Sequence, residues 1–175
     1  MRNVTYGAAC SLDGFIARPD GGVDWLLFTD DAKAMMADYW PRIDTILMGR
    51  KTWEVAAKAG GGGGGDGGMR TFVFSRTLTS LPGKGATLVR DDAAEFVRKL
   101  KQAPGKEICV MGGGDFARSL LAAGVVDEVG MNVHPVLLGA GVPAFLDPGD
   151  RVKLELTECR QLDGGCVLVK YAVKR

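Results

Sequence analysis

The feature that most constrains the fold is an alternation of short apolar runs with longer segments of helical period. The runs are Val4–Cys10, Ile43–Met48, Thr71–Phe74, Ala86–Val89, Ile108–Met111, Glu128–Val136, Leu154–Cys159 and Cys166–Val173, each bounded by turn residues. Their length and β-branched content predict strands. Between them, Asp92-Ala93-Ala94-Glu95 resembles a capping box and opens a helix carrying Phe96, Val97 and Leu100, which Pro104-Gly105 stops. A second helix is predicted from about Asp115 to Ala123, with Gly124 as its stop. A third begins near Thr29-Asp30-Asp31 and is expected to carry Met35, Met36 and Tyr39 inward. Strand–helix–strand alternation implies parallel pairing with helices on both sheet faces. The last two strands differ: Asp163-Gly164-Gly165 between them reads as a hairpin loop. The predicted fold class is α/β, a three-layer αβα arrangement around a mixed, mostly parallel sheet with a C-terminal antiparallel hairpin. All 175 residues are expected to form a single domain.

Charge and cysteine usage remove several function classes. Lysine plus arginine number 22 against 21 aspartate plus glutamate, so a net charge of +1 offers no field for nucleic acid or an anionic membrane. A phosphate-bearing ligand must therefore be held locally. Cys10, Cys109, Cys159 and Cys166 form no Cys-x-x-Cys pair and are expected to be reduced, packed thiols. No metal site is predicted, because the single histidine, His134, has no His or Cys at ligand spacing and reads as structural or substrate-facing. The opening apolar stretch is too short for a membrane span, and a cytoplasmic protein is the default expectation.

Three strand ends carry the chemistry. Ile108-Cys109-Val110-Met111-Gly112-Gly113-Gly114-Asp115-Phe116 is a strand that turns through three glycines into a helix, whose unpaired N–H groups suit a pyrophosphate; a bare tight turn is the alternative. Ile43 to Glu54 is a second such unit, placing Arg50, Lys51 and Thr52 at a helix start. Cations there oppose the helix dipole, and a bound phosphate would reverse that penalty. Thr71–Phe74 ends in Ser75-Arg76-Thr77, again a hydroxyl beside a guanidinium. Ligands of open α/β sheets gather at the C-terminal strand edge, so the three ends point to one large phosphorylated cofactor. An ordinary Rossmann dehydrogenase fits less well, since the Gly112, Gly114, Ala117 spacing comes late in the chain. The run Gly60 to Gly65 has no lysine followed by Ser or Thr and reads as a flexible surface loop rather than a phosphate loop.

Together these segments resemble the dihydrofolate reductase superfamily, and within it the C-terminal reductase domain of the riboflavin-biosynthesis deaminase–reductase. The resemblance is carried by Ser11-Leu12-Asp13-Gly14-Phe15-Ile16-Ala17, Met48 to Glu54, Phe74-Ser75-Arg76, Met111 to Gly114, and Asp127-Glu128-Val129 leading to Pro135-Val136-Leu137-Leu138-Gly139. It implies NADPH as cofactor. Gly49, Arg50, Lys51 and Thr52 would hold its phosphates, with Arg50, Ser75 and Arg76 at the 2′-phosphate. Gly112, Gly113 and Gly114 would lie against the pyrophosphate, with Asp115 and Phe116 beside them. The family commonly has a cis peptide between the first two of these glycines.

Ala9 and Ile16 would flank the nicotinamide, and Asp13, Trp25 and Pro135 would face the substrate. The carboxylate that assists protonation in dihydrofolate reductases follows a tryptophan; here Asp30 and Asp31 follow Trp25, and first-turn helix stabilisation is their alternative role. The resemblance implies hydride transfer to a C=N or C=O carbon, with 5-amino-6-(5-phosphoribosylamino)uracil the leading substrate and Arg18, Lys33 or Arg42 available for its phosphate. A pterin or folate-type substrate is an alternative, although Met69 and Arg70 depart from the folate pattern. The chain lacks the deaminase half, having no His-x-Glu with a later Pro-Cys-x-x-Cys. A non-catalytic NADP(H)-binding module is the competing class, and Val133–Val142 is a candidate homodimer surface.

Overall fold

The computed structural model describes residues 1–58, 68–82 and 85–174. The elements follow the predicted alternation: β1 (Val4–Ser11), β2 (Phe15–Ala17), α1 (Asp30–Tyr39), β3 (Ile43–Gly49), α2 (Arg50–Lys58), β4 (Arg70–Phe74), β5 (Ala86–Val89), α3 (Ala93–Gln102), β6 (Glu107–Met111), α4 (Gly114–Ala122), β7 (Glu128–His134), β8 (Val142–Pro143), β9 (Leu154–Gln161) and β10 (Val167–Val173). Eight strands form one sheet in the order β5-β4-β3-β6-β1-β7-β10-β9. The first six strands are parallel to one another, while β10 and β9 close the sheet antiparallel. The α/β, mixed-sheet reading holds.

Strand alternation sorts side chains to two faces. Val4, Tyr6, Leu47 and Val110 pack with Val97 of α3 and Leu120 of α4 in the larger core. Ile46, Met48 and Cys109 pack on the other face with Trp53 of α2 and with Tyr39 and Trp40 at the end of α1. Helices therefore cover both faces. α3 begins as predicted, with the Asp92 carboxylate accepting from the Glu95 N–H at 2.8 Å. Tyr6 threads the larger core and donates to the Ala144 carbonyl at 2.6 Å.

The α1 side of the sheet is built differently. On β1 and β7 the residues facing α1 are Thr5, Gly7 and Ala9 beside Glu128, Gly130 and Asn132, paired in register. Gly7 and Gly130 are direct neighbours, so the sheet presents bare backbone there. A Cβ at either would lie 3.8 Å from its nearest neighbour, so packing does not force the glycines.

Several expectations need correction. Met36 is not packed into a core: it is 40% exposed and lines the cleft beneath α1, because α1 lies over that bare floor and packs chiefly through Ala32 and Met35. Cys159 is exposed rather than packed, since β9 is an edge strand open on both faces, whereas Cys10, Cys109 and Cys166 are buried. β7 stops at His134 rather than Val136, because Pro135 cannot donate to the ladder. The described peptide bonds are all trans, that between Gly112 and Gly113 included; the turn is made by φ values of 61° and 82° at these two residues. The antiparallel pair β2 with β8 is unexpected, its strands being too short to show a period. The run Gly60 to Gly65 lies outside the described residues. Among the described residues no helix is long and apolar enough to cross a membrane.

Candidate active site

Parallel βα units deliver their C-terminal strand ends to one edge, and here three of those ends meet. β3 runs without a break into α2, so Arg50, Lys51 and Thr52 form its first turn with no acidic residue among them. β6 turns through Gly112 and Gly113 into α4. The two turns touch: a Cβ on Gly113 would lie 3.1 Å from the Thr52 hydroxyl oxygen. Positive φ and this proximity both call for glycine there. The end of β4 adds Ser75 and Arg76, and the whole encloses a cleft of about 610 Å³. Phe74 and Phe116 stack at 4.9 Å along one wall.

The cations of this cleft are not equivalent. Arg50 is paired with Glu54 at 3.0 Å, and Arg118 with Asp115 at 2.8 Å. Among the described residues Lys51, Arg76 and Arg90 have no carboxylate within ion-pair distance. Arg90 instead donates to the Leu78 carbonyl. Ser75 is occupied as a turn former, its Oγ accepting from the Thr77 and Leu78 N–H groups at 3.2 and 3.1 Å. Gly114 has a packing role: a Cβ there would sit 2.4 Å from the Pro143 carbonyl oxygen. Gly49, Asp115 and Phe116 line the cleft, with Gly49 closely backed by the Phe116 side chain.

A second cleft, of about 460 Å³, opens between α1 and the sheet. Gly7, Ala9, Gly130 and Asn132 form its floor, and Leu26, Phe28, Met35, Met36, Trp40 and Met111 its apolar walls. Asn132 Oδ1 and the Tyr39 hydroxyl are buried without a hydrogen-bond partner. Burial pushes the Tyr39 phenol far above its ordinary value, so it stays protonated, and the neighbouring Cys109 thiol raises it further. Met111 borders this cleft and Gly113 the other. The two clefts therefore flank the end of β6.

Except for Arg42, the structure leaves the remaining expected substrate-side residues outside both clefts. The Asp30 carboxylate is 95% exposed and pairs with Lys33. Asp31 accepts from the Thr29 hydroxyl at 2.6 Å, the Ala32 N–H and the Asp163 N–H, tying α1 to the C-terminal hairpin. The Thr29 bond, then the Asp163 bond, hold its carboxyl below the usual range. Asp13 accepts from the backbone of Leu138 and Gly139, and with Ser11 first among the causes its carboxyl is likewise lowered. Ile16 packs against the larger core. Trp25 stands edge-on to buried His134, whose Nδ1 accepts from the Leu27 N–H at 3.3 Å. Pro135 is exposed and faces Gly165. Of the basic residues considered for a substrate phosphate, Arg42 lines the second cleft, while Arg18 pairs with Asp20 and Asp24 on the surface. The residues that sequence reasoning missed are Gly7, Gly130, Asn132 and Tyr39. The signal available was the period of two in Thr5, Gly7, Ala9 and Glu128, Gly130, Asn132, small and polar where the alternate positions are bulky.

A family model described as the RibD C-terminal domain matches residues 2–168. The chain belongs to this family. It is 32% identical to the uncharacterized Bacillus subtilis protein YyaP, covering 98% of this chain and 95% of that one. Among solved structures it is similar to a provisionally assigned riboflavin biosynthesis protein from Shewanella sp. PV-4, with a TM-score of 0.84, 25% identity and full coverage of both chains. Its fold is shared with dihydrofolate reductase from Enterococcus faecalis, solved with NADP(H), at a TM-score of 0.71, 16% identity and coverage of 99% and 97%. It is shared too with a Thermotoga maritima deaminase and 5-amino-6-(5-phosphoribosylamino)uracil reductase, at a TM-score of 0.73 and 17% identity, where the match takes in 99% of this chain and 57% of the other.

Proposed function

We propose that this RibD C-terminal domain protein is a reductase that uses NADPH to reduce a C=N or C=O bond of a small heterocyclic substrate. The observation that carries the reading is the end of β6, which a basic cleft at the strand ends borders through Gly113 and an apolar cleft beneath α1 borders through Met111. A dinucleotide has the matching division: charged phosphates at one end, a flat ring at the other. The donor set fits it. Among the described residues Lys51 and Arg76 have no carboxylate partner and suit phosphate, the Thr52 hydroxyl lies beside the Gly113 turn, and a helix N-terminus such as that of α4 offers N–H groups to an anion.

When bound, NADPH would supply a hydride to the substrate carbon. The chain's own part is orientation and polarisation. Ala9 and the bare floor leave room for stacked rings. Tyr39, protonated through burial, offers a neutral donor to the bond being reduced, and the apolar walls exclude water. The resemblance implies 5-amino-6-(5-phosphoribosylamino)uracil, and turnover is assayed with that compound beside unphosphorylated pyrimidine and pterin rings. A binding module without turnover is the second reading, favoured by one fact: neither Asp30 nor Asp31 lines the substrate-sized cleft.

Calorimetric titration with both nicotinamide dinucleotides tests the cofactor assignment. NADPH is expected to bind at least ten-fold tighter than NADH, and equal affinities would remove the role given to Arg76. Substrate-dependent loss of NADPH absorbance then separates the reductase from the binding module.

A further inference from the structure

We infer that the cleft beneath α1 selects an uncharged, flat heterocycle bearing an N–H donor and discriminates against phosphorylated compounds. As the substrate class of a reductase this rests on the function proposed above; as a binding preference it stands on the cleft alone.

The first ground is charge. Each cation lining the cleft already has a carboxylate partner: Arg42 Nη2 lies 2.5 Å from Glu107, Lys170 Nζ 2.8 Å from Glu158, and Arg160 Nε 3.6 Å from Glu158. Asp38 and Glu128 line the cleft as well. The lining itself holds three cations and two carboxylates; with the partners Glu107 and Glu158 included, three positive groups are set against four carboxylates, a local balance of −1. A phosphate monoester carries roughly −1.5 to −2 at neutral pH. It would meet net repulsion here or have to displace a carboxylate from its partner. The cleft at the strand ends, with Lys51 and Arg76 unpaired among the described residues, has no such obstacle.

The second ground is shape and polarity. The floor is backbone at Gly7 and Gly130, on parallel strands in register, and the walls are aliphatic, thioether and indole surface. That space admits a planar ring lying on the sheet. A cavity of about 460 Å³ is of small-ligand size.

The third is the unpaired polar atoms. Among the described residues Asn132 Oδ1 lacks a donor, and the Tyr39 hydroxyl is met only by the weakly bonding Cys109 thiol, although both are buried. Buried polar groups are normally satisfied. A ligand N–H directed at Asn132 and a carbonyl or imine directed at Tyr39 would satisfy both, which describes the edge of a lactam or cyclic amidine. Asn132 is thereby assigned as a substrate-positioning residue.

Calorimetry on the full chain tests this, with quinazolinone as the neutral bicyclic lactam and uridine monophosphate as the phosphorylated comparator, each titrated with and without NADPH. Quinazolinone is expected to bind at least ten-fold tighter than uridine monophosphate, with an affinity unchanged by added sodium chloride. Gly130→Val fills the floor at a position with space for a Cβ and should abolish quinazolinone binding. Asn132→Leu should weaken it about ten-fold. Both variants should keep the melting temperature of the parent chain, so that the losses report on the cleft and not on the fold. Absent quinazolinone binding, equal or tighter binding of uridine monophosphate, or binding that survives both substitutions would each overturn the inference. Failure to bind NADPH, with quinazolinone still bound to the cofactor-free chain, would instead overturn the reductase reading and leave the cleft preference standing.

Discussion

The cleft at the strand ends gathers Lys51, Arg76 and Arg90 without carboxylate partners among the described residues, whereas the cleft beneath α1 ties each of its cations to Glu107 or Glu158. One is made from what the βα turns carry: charge, hydroxyls and free N–H groups. The other is made from what β1 and β7 omit, namely side chains. The difference teaches that a single sheet can offer two ligand environments a few residues apart, provided its alternate faces are filled unequally.

The largest expected effect breaks the first cleft and spares the second. A charge-assisted hydrogen bond contributes roughly 1.5–3 kcal/mol. Replacing both Lys51 and Arg76 by Ala should therefore weaken NADPH by about two decades or more, and steepen no response in the apolar cleft. Arg50→Ala alone should cost less, since Glu54 already engages its guanidinium. Paired titrations of NADPH and quinazolinone with these variants measure the separation; parallel losses of both ligands would show that the clefts are one site.

A smaller effect concerns the roof of the apolar cleft. Asp31→Asn removes the carboxylate that bonds Thr29, Ala32 and Asp163, so thermal melts should show Tm lowered by a few degrees. Asp30→Asn, on a carboxylate 95% exposed, should leave both Tm and any turnover unchanged. Lost turnover with unchanged Tm in Asp30→Asn would restore that residue to catalysis.

The smallest is a pH effect at His134. Burial lowers its pKa from 6.5, so the folded chain keeps the imidazole neutral while the unfolded chain takes up a proton below that value. Stability is thus fully present above about pH 6.5 and declines as pH falls through the window beneath it. Denaturant melts at pH 7.5 and 5.5 should differ in this direction. The difference should shrink in a His134→Gln variant.

The first cleft was legible in the sequence because its parts are local. Gly49 to Thr52, Ser75-Arg76 and Gly112-Gly113 each follow a recognisable strand, and parallel pairing alone brings such ends to one edge. The second was not, because it depends on which β1 residue lies opposite which β7 residue, a register that no short segment states. Gly7 and Gly130 each read as a weak point in a strand until the pairing sets them side by side. Asp30 and Asp31 show a similar limit. Adjacent positions at a helix start point about 100° apart, and only the hairpin that packs against α1 decides which carboxylate is held and which is left in solvent. Met36 failed for the reason the cleft exists: its period is helical, but the surface it would pack against is absent.

The glycine pair has a consequence for how such proteins diversify. Because Gly7 and Gly130 have ordinary backbone geometry and room for a Cβ at van der Waals contact, one added methyl at either would shallow the recess without touching the opposite face of the sheet. Ligand size could thus be retuned in single, independent steps while the scaffold and its dinucleotide cradle stay as they are.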